Sequence, residues 1–318
     1  MLKIGVQSDN VIEDGNPQEG FAVVRRTGFS CVDFSLNRYL RNSNIYKSEI
    51  NHFFSQSIQE LEMHFSSHKL AAEREQIFIN QMHMPYPIYM PNGSNELNGY
   101  LREVVAPKSL AVCAFFGCPY IVLHGYKTVQ YVGSEEKEWD QTERLINFLA
   151  PMAKEMGITL CIENLYSNVG GHIVGGSCCN AAKLTERIDR INEKYHAEVL
   201  GFCFDTGHAN LVGIDFENFM TKLGHRLKVL HIHDNDGKGD LHQIPFTFTL
   251  NRENEPSTDW EAFIKGICNI RFDKVLSFET APVLNAFPEE MKETVLSFIA
   301  QIGQYFIKKI EKCKHMIL

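Results

Sequence analysis

Eight short apolar runs recur along the chain at nearly even spacing, and this rhythm limits the fold more than any other feature of the sequence. The runs start about 39 residues apart on average, which is the spacing of strand–helix units. Most are nearly continuous in apolar residues, as expected of strands buried on both faces of a parallel sheet. They cover residues 3–9, 31–36, 77–84, 120–125, 159–165, 200–206, 229–234 and 274–280.

Helical patterns fill the segments between these runs. The clearest begins at Ser134 with an acidic first turn and ends at Gly157, just before the next run. Similar patterns cover residues 49–75, 180–196 and 288–312.

Strands that alternate with helices in this way predict an α/β protein, a (β/α)₈ or TIM barrel. No Pro- or Ser-rich linker divides the 318 residues, so we expect one domain over residues 1–318 with a helical insertion at about 37–75. A doubly wound open sheet is the alternative, but no G-x-G-x-x-G follows the first run.

Composition limits the partners and the cellular compartment that we expect for this protein. The formal charge is −8, which argues against nucleic acid as a partner. We find no signal peptide and no apolar run long enough for a membrane span. The nine cysteines show no C-x-x-C spacing, which suggests buried, reduced thiols in a cytoplasmic protein. The adjacent Cys178 and Cys179 are either a reactive pair or two loop thiols without a role.

Ionisable side chains stand at the ends of the apolar runs, where a (β/α)₈ barrel places its active site. Each one alone has an ordinary explanation: a histidine can be hydrogen-bonded in the core, a glutamate can pair with an arginine, and Asp205 can cap a helix. Together they follow at least five consecutive runs whose ends meet in one mouth, and buried charges must be paired or bound to metal. The pattern therefore favours a metal site. Its candidate residues are His83, His124, Glu163, Asp205, His208, His231, Asp240, His242 and Glu279.

The candidate ligands combine carboxylates with imidazoles and include no thiolate. Such a set suits Zn²⁺ or Mn²⁺, with Co²⁺, Fe²⁺ and Mg²⁺ as further candidates, rather than a structural zinc site built from cysteines. One divalent ion could be surrounded by four residues from four successive runs, Glu163, Asp205, His231 and Glu279. The other five candidates could hold one or two more ions beside the first.

Five segments resemble the xylose isomerase-like barrel superfamily, which contains sugar-phosphate isomerases and epimerases as well as endonuclease IV. The segments are CIENL, FDTGHAN, VLHIHDNDGKGDLHQIP, TDWEAF and LSFET, between about residues 77 and 280. The D-T-G-H and H-x-H-D-N blocks carry most of the resemblance, because together they are fairly specific to the superfamily. They do not identify a substrate.

The resemblance implies roles for particular residues. The four-ligand metal site of the keto-sugar epimerases falls on Glu163, Asp205, His231 and Glu279, and in those relatives the two glutamates also transfer the proton. His231 is chosen over His233 on the resemblance, because alternation along a strand points both side chains the same way. The larger metal cluster of endonuclease IV adds the positions that match His83, His124, His208, Asp240 and His242.

Several loops at the barrel mouth are unusual. Where the family usually has a Gly-rich turn after His242, this chain has Pro-Phe-Thr-Phe at 245–248, which should give that loop a different shape and an apolar wall. The long segments 49–75 and 85–100 would narrow the mouth or contact a second subunit of a homo-oligomer. The loop 166–180 carries four glycines and is expected to border the substrate, the alternative being a flexible connector.

Three functions are compatible with these residues. The first is an isomerase or epimerase of a small sugar, sugar phosphate or polyol, which passes a proton through a cis-enediolate between Glu163 and Glu279. The second is a metal-dependent phosphodiesterase or other hydrolase like endonuclease IV. The third is a barrel without catalysis that holds a metal or senses a sugar. The number of metals per chain, and a basic groove across the mouth, would separate the three.

Overall fold

Eight parallel strands, β1 to β8, form a single sheet in the computed structural model of the chain, which describes residues 2–128, 131, 133–248 and 258–316. Neighbours in sequence pair in parallel from β1 through to β7, and β8 pairs with β1. The strands are β1 (Lys3–Gln7), β2 (Cys31–Ser35), β3 (Phe78–His83), β4 (Tyr120–Leu123), β5 (Thr159–Glu163), β6 (Leu200–Asp205), β7 (Leu227–His231) and β8 (Val275–Phe278).

The ring closes nearly completely between β7 and β8. Beyond the end of β7, the amide of Ile232 donates to Ser277 O over 2.8 Å, and the amide of Glu279 donates to Ile232 O over 3.1 Å. Because every edge is paired, the sheet forms a barrel rather than an open layer. The predicted (β/α)₈ barrel is therefore confirmed, and the open-sheet alternative is wrong.

Helices alternate with the strands and cover the outside of the barrel. Within the segment 37–75 the structure has the 3₁₀ turns Asn37–Tyr39 and Phe53–Ser55 besides two α-helices. The α-helices are α1 (Pro17–Arg26), α2 (Asn42–Tyr46), α3 (Ile58–Glu75), α4 (Asn95–Tyr100), α5 (Ala106–Phe115), α6 (Glu135–Met156), α7 (Ala181–Tyr195), α8 (Thr206–Leu211), α9 (Phe216–Leu223), α10 (Trp260–Asn269), α11 (Ala281–Leu284) and α12 (Lys292–Met316).

Local sequence sets the ends of these helices. Ser57 and Glu60 form a reciprocal capping box at the start of α3, so this helix begins later than the helical pattern from residue 49 predicts. Gly157 ends α6 with a left-handed backbone (φ 68°), which a residue without a side chain adopts at little cost. None of the helices in the described part of the chain combines the length and apolar character that a membrane span requires.

The barrel has separate outer and inner packing. Most apolar side chains of the strands pack outward against the helices in one large cluster. A second, small cluster lies inside the barrel and consists of Val122, Cys161, Cys203 and Val229, which are 0–1% exposed. This inner layer is a floor of small side chains beneath the barrel mouth.

One predicted loop contains regular structure. The sequence predicts a Gly-rich loop over residues 166–180, but Tyr166–Val169 and His172–Gly175 pair as an antiparallel hairpin beside the mouth. The hairpin turns through Gly170 and Gly171, both of which have positive φ. Its strands are short and half-exposed, so they lack the continuous apolar pattern that marks the barrel strands.

Candidate metal centre

Each barrel strand places one polar side chain in the mouth, at its last residue or close to it. Side chains alternate between the two faces of a strand, so a residue two positions after an inward-facing one also points inward. In β5, for example, Cys161 lies in the inner floor and Glu163 stands above it. The eight side chains of this layer are Gln7, Asp33, His83, His124, Glu163, Asp205, His231 and Glu279.

Glu163 lies at the middle of this layer and is 2% exposed. Its Oε2 is 3.4 Å from His83 Nε2 and 3.2 Å from His124 Nε2. Its Oε1 is 3.1 Å from His208 Nδ1 and 3.4 Å from His231 Nδ1. One carboxylate therefore has four imidazoles around it.

His231 contacts the other three of the four residues that are expected to share one ion. Its Nδ1 lies 3.4 Å from Glu163 Oε1, 3.9 Å from Asp205 Oδ2 and 3.3 Å from Glu279 Oε2. A single imidazole nitrogen thus faces carboxylates from three other strands. The structure therefore brings these four predicted residues around one nitrogen atom, and three of them, Asp205, His231 and Glu279, have ligand atoms within 4.8 Å of one another.

Asp240 contacts two further predicted residues, His208 and His242, on the outer side of the mouth. Its Oδ2 is 3.2 Å from His208 Nε2 and 3.3 Å from His242 Nε2. His242 also approaches Glu279, with its Nδ1 3.8 Å from Glu279 Oε2. All nine residues selected from the sequence therefore lie in one connected cluster.

His233 also belongs to this cluster, although the family resemblance favours His231 as the ligand. Its Nε2 lies 3.0 Å from Asp205 Oδ2, and its ring stacks on that of His242 with centroids 4.0 Å apart. The only signal in the sequence is its position two residues after His231, on the same face of the strand.

Asp205 acts as a helix cap and also faces the cluster. Its Oδ1 accepts a 2.6 Å hydrogen bond from the amide of His208 at the start of α8. Its Oδ2 faces His231 and His233. Because the cap fixes the carboxylate, the two explanations of Asp205, helix cap and metal ligand, are compatible.

Asp33 and Gln7 are further members that sequence reasoning missed. Asp33 Oδ2 lies 3.0 Å from His231 Nε2 and accepts a hydrogen bond from Gln81 over 3.2 Å. Gln7 Nε2 donates to Glu279 Oε1 over 3.1 Å. The first contact lies on the Nε2 side of the His231 ring, and the second holds Oε1 of Glu279. His231 Nδ1 and Glu279 Oε2 are left facing the mouth.

The carboxylate and imidazole side chains of the cluster shift one another's pKa values. Burial works against ionisation of Glu163, but His231 and His124 outweigh it and hold the pKa of that carboxyl well below its usual range. Burial likewise opposes protonation of His242, yet Glu279 and Asp240 raise its pKa to about 9. For His124 burial prevails and lowers the pKa to about 4. In the metal-free protein at pH 7, His242 is therefore protonated and His124 is neutral.

Several groups within the cluster have the donor set of a metal site. Sets of three residues whose ligand atoms lie within 4.8 Å of one another include Asp205 with His231 and Glu279, and His83 with His124 and Glu163. Glu163 Oε2 is buried and accepts no hydrogen bond of acceptable geometry, although the Nε2 atoms of His83 and His124 lie 3.4 and 3.2 Å away. A lone pair directed at a cation would produce this arrangement.

Three features that the sequence singles out in loops, the hairpin segment, Phe246 and Cys178, have different surroundings in the structure. The Tyr166 ring of the hairpin lies 5.4 Å from the ring of His208, so the hairpin borders the cluster. Phe246 packs against the rings of Trp260 and Phe306 in the outer helical layer. Burial raises the pKa of the Cys178 thiol to about 12, which removes the activation that a reactive cysteine needs.

Comparison with known proteins finds related barrels. A family model described as a xylose isomerase-like TIM barrel matches residues 21–300. The chain spans about half the length of the curated relatives it matches. One of them, a probable endonuclease 4 from Methanoculleus marisnigri, is 32% identical over 173 residues, which cover 50% of this chain and 56% of the relative.

Solved structures resemble the chain over nearly its whole length. A D-tagatose 3-epimerase-like protein is 19% identical with a TM-score of 0.61, and the match covers 96% of this chain and 100% of that one. A 3-keto-D-glucoside 4-epimerase from E. coli is 14% identical with a TM-score of 0.65, over 95% of this chain and 100% of that one. At such identities the likeness shows the fold.

Proposed function

The chain belongs to the xylose isomerase-like TIM barrel family, and we propose that it is a divalent-metal-dependent isomerase or epimerase of a small sugar, sugar phosphate or polyol. The observation that carries the proposal is the contact of His231 Nδ1 with Glu163, Asp205 and Glu279, all within 3.9 Å. Solved proteins with this fold include a D-tagatose 3-epimerase-like protein and a 3-keto-D-glucoside 4-epimerase.

The four central residues fit a divalent cation. Three carboxylates and one imidazole, all buried, come from four strands, and burial of so much charge calls for a cation that balances it. Oxygen and nitrogen donors of this kind suit Zn²⁺ or Mn²⁺. A divalent ion held there would polarise a substrate carbonyl as a Lewis acid.

The two glutamates are the proposed proton-transfer pair. Glu163 and Glu279 approach the same atom of His231 from different strands, so both face the space in which a substrate carbonyl would lie. One carboxylate would remove the proton from the carbon next to the carbonyl, and the other would return a proton to the resulting cis-enediolate. Gln7 holds one oxygen of Glu279 and leaves its other oxygen directed at the mouth.

Deuterium exchange tests this chemistry whichever product the enzyme forms. The metal-loaded protein is incubated in D₂O with the neutral ketoses D-tagatose, D-fructose and L-ribulose and with the anionic ketoses D-fructose 6-phosphate and D-fructuronate, and NMR follows loss of the proton next to the carbonyl. We expect exchange with at least one ketose, and loss of exchange after removal of metal with a chelator. Exchange that persists in the metal-free protein would contradict the metal-dependent mechanism.

A phosphodiesterase is the second candidate, because all nine residues that match the endonuclease IV cluster lie together in the structure. The relative named probable endonuclease 4 adds to this alternative. Two measurements separate the candidates: the number of metal ions per chain, and cleavage of a duplex that contains one abasic site. Three ions per chain with strand cleavage would favour the phosphodiesterase, and one ion without cleavage would favour the isomerase or epimerase.

A further inference from the structure

Lys127 is half-buried beside the candidate metal centre. It follows β4, and its Nζ donates to the backbone oxygen of Tyr166 over 2.7 Å. The same Nζ is 5.2 Å from the centroid of the Tyr166 ring, and that ring is 5.4 Å from the ring of His208. No carboxylate of the described residues lies within ion-pair distance of Lys127. One aromatic ring therefore separates an unpaired ammonium from a candidate metal ligand.

The surroundings of Lys127 differ from those of the buried lysine at the other end of the barrel. Lys228, which is 6% exposed, forms an ion pair with Glu198. Lys127 instead lines a cavity of about 10 Å³ together with Glu163, room for about one water molecule. Burial lowers the pKa of Lys127, and the charges of Glu138, Glu163 and Asp240 oppose that shift from beyond ion-pair distance without cancelling it.

We propose that Lys127 binds an oxyanion of the substrate, a carboxylate or a phosphate, while the metal centre holds the carbonyl end. This inference rests on the proposed function and narrows its substrate class to anionic sugars. An ammonium has three N–H donors, and the bond to Tyr166 uses one of them. Charge-assisted hydrogen bonds are stronger than neutral ones, so an oxyanion would stabilise this half-buried charge better than a sugar hydroxyl would.

A purely structural role for Lys127 makes a different prediction. Glu138 lines the same cavity, is 3% exposed, and among the described residues accepts side-chain hydrogen bonds from the Thr128 amide and the Ser134 hydroxyl. If Lys127 serves to balance the charge of Glu138 through water, then the double variant with Lys127→Met and Glu138→Gln should recover both the stability and the ligand preference of the native protein.

Equilibrium binding to the metal-loaded protein tests the proposal without turnover. The probes are D-fructose, D-fructose 6-phosphate and D-fructuronate, so that the phosphate and the carboxylate are separate arms. We expect the native protein to bind at least one anionic probe about tenfold or more tightly than D-fructose, a difference that Lys127→Met removes and Lys127→Arg partly restores. Glu138→Gln is the control and should keep the preference. If Lys127→Met does not fold, Lys127→Gln replaces it.

Three results would overturn the proposal. They are the absence of any preference for an anionic probe, a preference that persists in Lys127→Met, and recovery of the preference in the double variant. The outcome is independent of the deuterium-exchange test. A protein that prefers an anionic sugar but exchanges no deuterium would sustain this inference and contradict the proposed function. A protein that exchanges deuterium but shows no preference for an anionic sugar would sustain the proposed function and contradict this inference.

Discussion

His231 Nε2 lies 3.0 Å from Asp33 Oδ2, and both side chains are at most 1% exposed. The contact joins β7 to β2 across the inside of the barrel. It leaves the other ring nitrogen, Nδ1, directed at three carboxylates. The contact is a close ion pair rather than a well-aligned hydrogen bond, and a carboxylate behind the ring raises the basicity of the nitrogen on its other side.

We predict that Asp33→Asn weakens metal binding about 10- to 100-fold, because the ring of His231 loses its carboxylate partner. Competition with a chromophoric chelator measures the affinity. Asp273→Asn is the control, since the Asp273 side chain is 78% exposed and pairs with Lys274 on the surface. Equal affinities of Asp33→Asn and the native protein would show that the contact does not position the ligand.

Glu279→Gln should keep the fold and lower turnover of a ketose substrate by about 10²-fold or more, because an amide can neither accept the proton nor return it. Metal affinity should also fall, since one charged ligand becomes neutral. NMR of product formation measures turnover, competition with a chromophoric chelator measures metal affinity, and thermal melting checks the fold. Glu289→Gln, at a side chain 83% exposed, is the matched control. Near-native turnover in Glu279→Gln would rule out the proton-transfer pair even if metal still binds.

The sequence identified most of the cluster because two rules act together. Parallel strands end at one mouth, and polar residues that end buried runs need partners. Glu163, Asp205, His231 and Glu279 all satisfy both rules. Asp33 was missed because apolar residues continue beyond it in the second run, so it did not mark a strand end. Lys127 was missed because nothing in its local sequence separates it from a surface lysine; only the fold places it beside Tyr166.

Metal binding should release protons and tighten as pH rises. Burial disfavours the charged form of His242, but neighbouring carboxylates raise its pKa to about 9, so it is protonated at pH 7 in the metal-free protein. Metal and proton compete for the imidazole, and affinity should therefore increase up to about pH 9. His124, whose pKa is lowered to about 4, should release no proton.

Calorimetry in two buffers of different ionisation enthalpy gives the number of protons released. His242→Gln should reduce that number, and an unchanged number would show that His242 is not the group that releases the proton.

The raised pKa of His242 also affects the stability of the metal-free protein. A histidine whose folded pKa is raised stabilises the folded state fully below its unfolded value of about 6.5. That contribution is lost as pH rises through about 9, so the metal-free protein should lose stability between these two values.

The last prediction concerns Gly207, which lies in the first turn of α8 next to Asp205. A Cβ at this position would lie 1.9 Å from His233 Cε1, a distance that requires the ring to move. The ring is fully buried, contacts Asp205 Oδ2 and stacks on His242. Gly207→Ala should therefore destabilise the fold by about 1–3 kcal/mol, the usual range for overpacking, as measured by denaturant unfolding.

Gly99→Ala is the matched control for Gly207→Ala, because Gly99 also lies in a helix and a Cβ there would have no neighbour within 4 Å. It should be neutral or stabilising by up to about 1 kcal/mol. Removal of the clashing ring provides a second check. The loss in the double variant Gly207→Ala with His233→Ala should be smaller than the sum of the two single losses, because the residues are in direct contact. Additive losses would show that the alanine at 207 acts on some part of the structure other than the His233 ring.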